Sequence, residues 1–118
     1  MKTFFVSPVG NDKNVGTERE QAFYTLTRAR DAVRLAKQSD EFDGACITVL
    51  SGKYSMAQGL HLDWQDSGTE EAPVIWKGEG KPIFSGAISI QGFQPVTDPE
   101  ILARLPKDAA PFVVECDL

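Results

Sequence analysis

From residue 46 onward the chain is a string of short apolar segments broken at close intervals by glycine and proline, and this punctuation restricts the fold more than any other feature. The candidate strands are Cys46 to Leu50, Gly59 to Leu62, Val74 to Lys77, Ile83 to Phe84, Ala87 to Ile90 and Phe112 to Cys116. Between them stand Ser51-Gly52, Asp66-Ser67-Gly68, Gly78-Glu79-Gly80, Ser85-Gly86 and Gln91-Gly92, all of which carry turn chemistry. No helical crossover separates these strands, which excludes a doubly wound sheet and leaves a sandwich, a barrel or a solenoid. Strand direction separates them, because sandwiches pair antiparallel and solenoids pair parallel. The sequence contains no exact short repeat, and β-solenoid coils vary enough in length for that to carry little weight.

The first 44 residues have a different texture. Thr3 to Ser7 is β-rich, and Pro8 then limits further pairing, so the segment reads as an edge strand. A polar loop, Gly10 to Glu20, follows. From Thr25 to Gln38 the apolar residues Leu26, Ala29, Val33 and Ala36 recur at steps of three and four, which predicts an amphipathic helix. Thr25 is placed to cap it, and Lys37 suits the negative pole of its dipole. One further short helix is expected near 98–105, where Asp98-Pro99-Glu100 supplies a cap, a first-turn proline and an acidic first turn before Pro106 stops it.

A formal net charge of −5 argues against nucleic acid as a partner, since affinity for phosphate backbones rests on clustered Lys and Arg. Arg28, Arg30 and Arg34 lie on one helix, interrupted by Asp31, and read as a solvated face. Hydrophobic content of 42% and charged content of 25% are those of an ordinary globular chain of 118 residues. Cys46 and Cys116 sit far apart in apolar runs and read as buried thiols rather than a disulfide. No window approaches the roughly 18 apolar residues a membrane span needs. Met1-Lys2-Thr3 runs straight into a strand without a signal-peptide core, which implies a cytoplasmic chain as written, or an extracellular one if a leader was removed.

The opening run Phe4-Phe5-Val6-Ser7-Pro8-Val9-Gly10-Asn11-Asp12-Lys13-Asn14-Val15-Gly16-Thr17, with Phe23-Tyr24-Thr25-Leu26 and the helical Arg28 to Arg34, resembles the first segment of right-handed parallel β-helix proteins of the pectate-lyase-like kind. Many of these are glycoside hydrolases or polysaccharide lyases. Ile47-Thr48-Val49-Leu50-Ser51-Gly52-Lys53-Tyr54 looks like the first coil strand and its turn. Leu60-His61-Leu62, Asp66-Ser67-Gly68-Thr69 and Ala72-Pro73-Val74-Ile75-Trp76 look like the next passage. Lys81-Pro82-Ile83-Phe84-Ser85-Gly86 and Ile90-Gln91-Gly92-Phe93 are similar to a family stretch in which Phe84 is an intrusion, Ala87 replaces a second glycine and Phe93 stands for tryptophan. Val15 and Ala22 occupy positions where the family often has proline.

The resemblance covers residues 3–118 and implies a mainly β chain, the beginning of a right-handed parallel β-helix that is incomplete at its C-terminal end. Residues 1–44 would form the edge strand, polar loop and capping helix, and 45–118 the first coils. Leu26, Ala29 and Val33 should then face the tube interior near Ile47 and Val49. Phe112-Val113-Val114-Glu115-Cys116 runs into Asp117-Leu118 without a terminating helix, so self-association through that uncapped end is expected. The implied function is that of the N-terminal capping and first-coil region of a carbohydrate-active protein, a glycoside hydrolase on polysaccharide or oligosaccharide. Its catalytic residues would lie on later coils and none in this chain. The alternative is a non-catalytic carbohydrate-binding or structural β-solenoid module.

No residue commits to catalysis, cofactor binding or metal ligation. His61, between Leu60 and Leu62, would point away from their shared face of a strand toward solvent. One His and two distant Cys lack the ligands of a tetrahedral zinc site. Asp63 and Asp66 have the spacing of a carboxylate pair, but beside Trp64 and Gly68 they read as turn caps. Gly10-Asn11-Asp12-Lys13-Asn14 offers oxygens at alternating positions, as calcium requires, yet it lacks the distal glutamate of an EF-hand, and Asx-turns are the favoured reading. Gly78-Glu79-Gly80 has no third glycine or following helix, so it is no nucleotide fingerprint. Ser7, Ser51 and Ser85 have no histidine partner. Among Trp64, Trp76 and Phe93, a possible sugar-stacking set, Trp76 reads as core and Trp64 as the aromatic available for binding.

Overall fold

The computed structural model describes residues 1–88 and 90–116. Its strands are β1 (Lys2–Val6), β2 (Ala45–Val49), β3 (Gly52–Ser55), β4 (Val74–Gly78), β5 (Pro82–Ser85), β6 (Gln94–Pro95) and β7 (Val114–Glu115), with helices α1 (Leu26–Ala36) and α2 (Pro99–Arg104). They fall into two compact units, Met1–Ala87 and Ile88–Leu118.

In the first unit β1, β2 and β4 lie side by side in that order, all parallel. The register sets Phe4 beside Ile47 beside Trp76, and Val6 beside Val49 beside Gly78. Alternate residues of a strand share a face, so these rows form one apolar surface while Phe5, Thr48 and Lys77 line the other. Ile47 and Val6 are fully buried, whereas Trp76 on the outer strand is only half-buried against the same core. A second, two-stranded sheet pairs β3 with β5, again parallel. Tyr54 of β3 joins the two sheets: its hydroxyl lies 2.6 Å from Leu50 O and 3.0 Å from Val6 O.

Helix α1 begins where the spacing of apolar residues places it. Thr25 Oγ1 accepts a hydrogen bond from Arg28 N at 3.1 Å, which satisfies one of the unpaired first-turn donors. Leu26, Ala29, Ala32 and Val33 are buried in one cluster with Phe4, Phe23, Ile47 and Val49. Burying the Leu26 and Val33 side chains contributes about 1.5–3 kcal/mol each as an upper figure. Phe23, fully buried, stacks on Phe4 with ring centroids 6.0 Å apart. The polar loop before it wraps so closely that Gly16, at φ +76°, leaves no room for a Cβ against the Phe23 ring, and Gly10 leaves none against the Phe23 carbonyl.

The expectation of a winding β-helix tube is not met. Among the described residues the strands form a three-stranded parallel sheet, a separate two-stranded parallel sheet and an antiparallel pair, with no closed or solenoid sheet. The reason lies in segments that were expected to be strands. Gly59 to Leu62 joins no ladder; the His61 carbonyl is taken by Arg30 of α1 instead. Ala87, Ile88 and Ile90 are likewise outside any strand, and Ser89 lies outside the described residues.

In the second unit β6 and β7 pair antiparallel, Gln94 opposite Glu115 and Pro95 opposite Val114. Asp98 caps α2, accepting from Glu100 N at 2.9 Å, with Pro99 at the first helical position. The strand expected over Phe112 to Cys116 shrinks to β7, because Phe112 closes a 3-10 turn at Ala110–Phe112. Asp117 and Leu118, on which the expectation of an open chain end rested, lie outside the described residues. No helix is long and apolar enough to cross a membrane among the described residues.

Candidate functional site

The most strongly organised surface of the first unit is the 3-10 turn Trp64–Asp66, tied down by cations from α1. Asp63 caps this turn, with Gln65 N donating to Asp63 Oδ1 at 2.8 Å and Asp63 N donating to Asp66 Oδ2 at 2.8 Å. Arg34 holds Asp66 from two directions, Nε to Oδ1 at 2.7 Å and Nη2 to Oδ2 at 2.6 Å, while the same Nη2 lies 3.5 Å from Asp63 Oδ1. Lys37 Nζ donates to the carbonyls of Gln65 at 2.6 Å and Ser67 at 2.7 Å. Arg30 Nη1 donates to His61 O at 2.8 Å. At the centre of this bound loop, the Trp64 side chain stands 83% exposed.

Three cations spaced over two turns of one helix face thus converge on one loop, so the reading of Arg30 and Arg34 as a solvated face is corrected. Arg28 is half-buried, with its guanidinium carbon 4.5 Å from the Phe23 ring centroid. A signal was present in the sequence: Arg30, Arg34 and Lys37 recur at steps of four and three, a stripe that needs anionic or carbonyl partners wherever another segment crosses it.

The Asp63 and Asp66 carboxylates are arranged for architecture rather than proton transfer. The Arg34 hydrogen bonds hold the Asp66 carboxyl down at about 2, against the opposing effect of burial, and the same contact raises Arg34. A glycosidic acid needs the opposite displacement, toward neutrality, so that it can protonate a leaving oxygen. Asp66 is an anion throughout the neutral range.

The Gly10 to Asn14 loop is consumed by local hydrogen bonds. Asp12 Oδ1 accepts from Tyr24 N and Thr25 N, each at 2.8 Å, and its Oδ2 accepts from Thr25 Oγ1 at 2.8 Å. Asn11 Oδ1 accepts from Lys13 N at 2.8 Å, which is an Asx-turn, and Asn14 Nδ2 donates to Ala22 O. Asp12 therefore positions the start of α1. Among the described residues no three His, Cys, Asp or Glu side chains gather as a metal site.

The remaining candidates are dispersed. His61 is exposed and lies outside any strand. Ser7, Ser51 and Ser85 each accept a backbone N–H at 3.2 Å, from Val9, Lys81 and Ala87 respectively; Ser7 and Ser85 close turns, and Ser51 ties its segment to the one that opens β5. Glu79 of the Gly78-Glu79-Gly80 turn binds Arg19 with both oxygens, at 2.6 and 2.7 Å, a pairing no local pattern announced. Cys46 and Cys116 are half-buried rather than buried, and Cys116 Sγ donates to Gln91 O at 2.8 Å. Phe93, in the second unit, is 56% exposed.

Two hollows flank the first unit's core. One, of about 420 Å³, is lined by both polar and apolar groups, including Tyr24, Thr27, Lys53 and Gln58. The other, of about 390 Å³, is apolar and bounded by Leu26, Val49, Leu60, Trp76 and Phe84. A smaller hollow of about 280 Å³ in the second unit lies among Gln91, Gln94, Glu115 and Cys116.

A solved structure described as a glycoside hydrolase matches 80% of this chain at 30% sequence identity, with a TM-score of 0.72. The matched part is 16% of that chain's length. The fold is thus like that of a limited part of a glycoside hydrolase. No family model matches the sequence, and no curated protein does.

Proposed function

We propose that this chain is a non-catalytic portion of a larger glycoside hydrolase, and that the groups which cleave the glycosidic bond belong to other parts of that protein. The observation that carries this reading is the match to a glycoside hydrolase over most of this chain but 16% of the other. The local chemistry supports it, because the carboxylate pair nearest to glycosidase spacing, Asp63 and Asp66, is occupied in holding a turn to α1. The chain's partner is then a polysaccharide or oligosaccharide reached through the larger protein, with neither nucleic acid nor membrane involved. A second reading, a non-catalytic carbohydrate-binding module, is favoured by one observation, the exposed Trp64 on a fixed loop. Hydrolase action is favoured over lyase action by the same neighbour.

The test is to express the whole product of the gene and the 118-residue chain separately and assay both against a panel of aryl glycosides and oligosaccharides. Hydrolysis by the whole product and none by the short chain is the expected result. Turnover by the short chain itself, or glycoside cleavage by neither, defeats the proposal.

A further inference from the structure

Resting on that carbohydrate-active reading, we propose that the Trp64–Asp66 turn is a subsite for neutral sugars, in which the Trp64 indole takes the apolar face of a pyranose ring. The geometry has two parts. An indole that is 83% exposed is a large apolar plane in water, whereas Trp76, the other tryptophan, packs against the core. A lone exposed apolar side chain needs no explanation by itself. Here, however, the backbone on either side of Trp64 is immobilised by Arg30 at His61 O, by Arg34 at Asp66, and by Lys37 at Gln65 O and Ser67 O. With the backbone held, an aromatic side chain of only two torsions has little freedom left to lose when a ligand lands on it, and this is the property that makes aromatics effective anchors.

The class of sugar follows from the flanking groups. The C–H face of a pyranose suits the electron-rich face of an indole, and its ring hydroxyls need polar partners at the edge. Asp63 Oδ2, whose contact with Gln65 Nε2 is long at 3.5 Å, and the Gln65 amide are the groups placed for that role. Asp63 Oδ1 is taken by Gln65 N and faces Arg34 at 3.5 Å, so its Oδ2, with only the long Gln65 contact, is the carboxylate oxygen left to meet a ligand, and the nearby cations are committed to the loop. A carboxylated sugar would meet Asp63 repulsively. A neutral pyranose would not.

The experiment titrates the 118-residue chain with cellohexaose, xylohexaose and an oligogalacturonate, following the tryptophan indole N–H resonances. Expected is a perturbation of Trp64 by at least one neutral oligosaccharide, weakened about tenfold or more by Trp64→Ala and largely kept by Trp64→Tyr, with thermal unfolding of both variants unchanged. No neutral sugar perturbing Trp64, affinity unchanged in Trp64→Ala, or tighter binding of the oligogalacturonate each overturns the inference. So does a whole gene product in which Trp64 is shielded from acrylamide quenching before any sugar is added, which would assign the indole to a protein contact. Glycoside hydrolysis by the whole product is measured in parallel: hydrolysis without Trp64-dependent binding removes the subsite and leaves the proposed function standing, and binding without hydrolysis does the reverse.

Discussion

Arg34 and Asp66, 32 residues apart, meet through two hydrogen bonds of 2.7 and 2.6 Å that fasten an irregular loop to the exposed side of a helix. The Asp66 side chain is 7% exposed and the Arg34 side chain 24%, so the pair is screened less than a surface contact. Removing one partner leaves the other poorly solvated. Asp66→Asn should lower unfolding free energy by about 1–3 kcal/mol, Arg34→Gln should also destabilise, and the double variant should cost less than the sum. Additive losses in a double-mutant cycle would show that the pair is not coupled.

Acid should release the same fastening. Asp66 is held near 2 against an ordinary value of 3.8, mainly by the Arg34 hydrogen bonds. A carboxylate depressed in the folded state contributes stability that is complete above the unfolded value and disappears as pH falls through the folded one. The window is therefore from 3.8 down to about 2. Asp43, beside the N-terminal ammonium, and Glu79, beside Arg19, are also lowered, so some decline will remain in any single variant. The melting temperature of Asp66→Asn should fall less steeply than wild type across that window, and equal slopes would contradict the assignment.

Tyr54 offers a test at the alkaline end. Burial pushes its phenol up to about 12 from 10.0, so the stability it carries is complete below 10.0 and is lost as pH rises through about 12. Tyr54→Phe deletes the donor that reaches Leu50 O and Val6 O and should cost about 0.5–1.5 kcal/mol at neutral pH. Ultraviolet titration of the wild type should show a phenolate step near 12 that is missing from the variant. A variant that keeps that step would place the perturbed phenol elsewhere.

Leu26 bears on the core directly. It is 7% exposed within the cluster that unites α1 with β1 and β2. Leu26→Asp buries an unpaired carboxylate and should yield an insoluble or unfolded chain, whereas Leu26→Met should cost less than about 1.5 kcal/mol. Circular dichroism and sedimentation check both. A soluble, folded Leu26→Asp chain would mean that this helix face is dispensable.

What the sequence disclosed is what local physics dictates. Thr25 ahead of an apolar three-four spacing, Asp98-Pro99 ahead of Glu100, and the apolar runs expected as strands at 46–50 and 74–77 are each decided within a few residues, and the elements appear there, the strands as Ala45–Val49 and Val74–Gly78. Strand β3 escaped because Gly52-Lys53-Tyr54-Ser55 looks like a turn, and only its pairing with Pro82–Ser85 makes it extended. The opposite error arose at Gly59 to Leu62, where alternating leucines imitate a strand while the helix claims the His61 carbonyl. The tube was what the family resemblance implied, since the strand pattern left sandwich, barrel and solenoid open, and segments such as Gly59 to Leu62 that it needed as coil strands join no ladder. The Trp64 loop was half legible: the exposed indole was readable from its polar neighbours, but the cations that fix it arrive from 30 or so residues upstream.

Phe23 has a consequence for how this sequence can drift. Its ring fills the space where Gly16 would carry a Cβ, so that glycine is closed to substitution while the aromatic stays, whereas Gly10 meets the main chain of residues 22 and 23 and is closed whichever side chain stands there. Val9 and Val15, immediately beside them and largely in water, face no such restriction. Among descendants of this chain Gly16 and Phe23 should therefore persist as a linked pair and Gly10 on its own account, while the adjoining valines turn over freely.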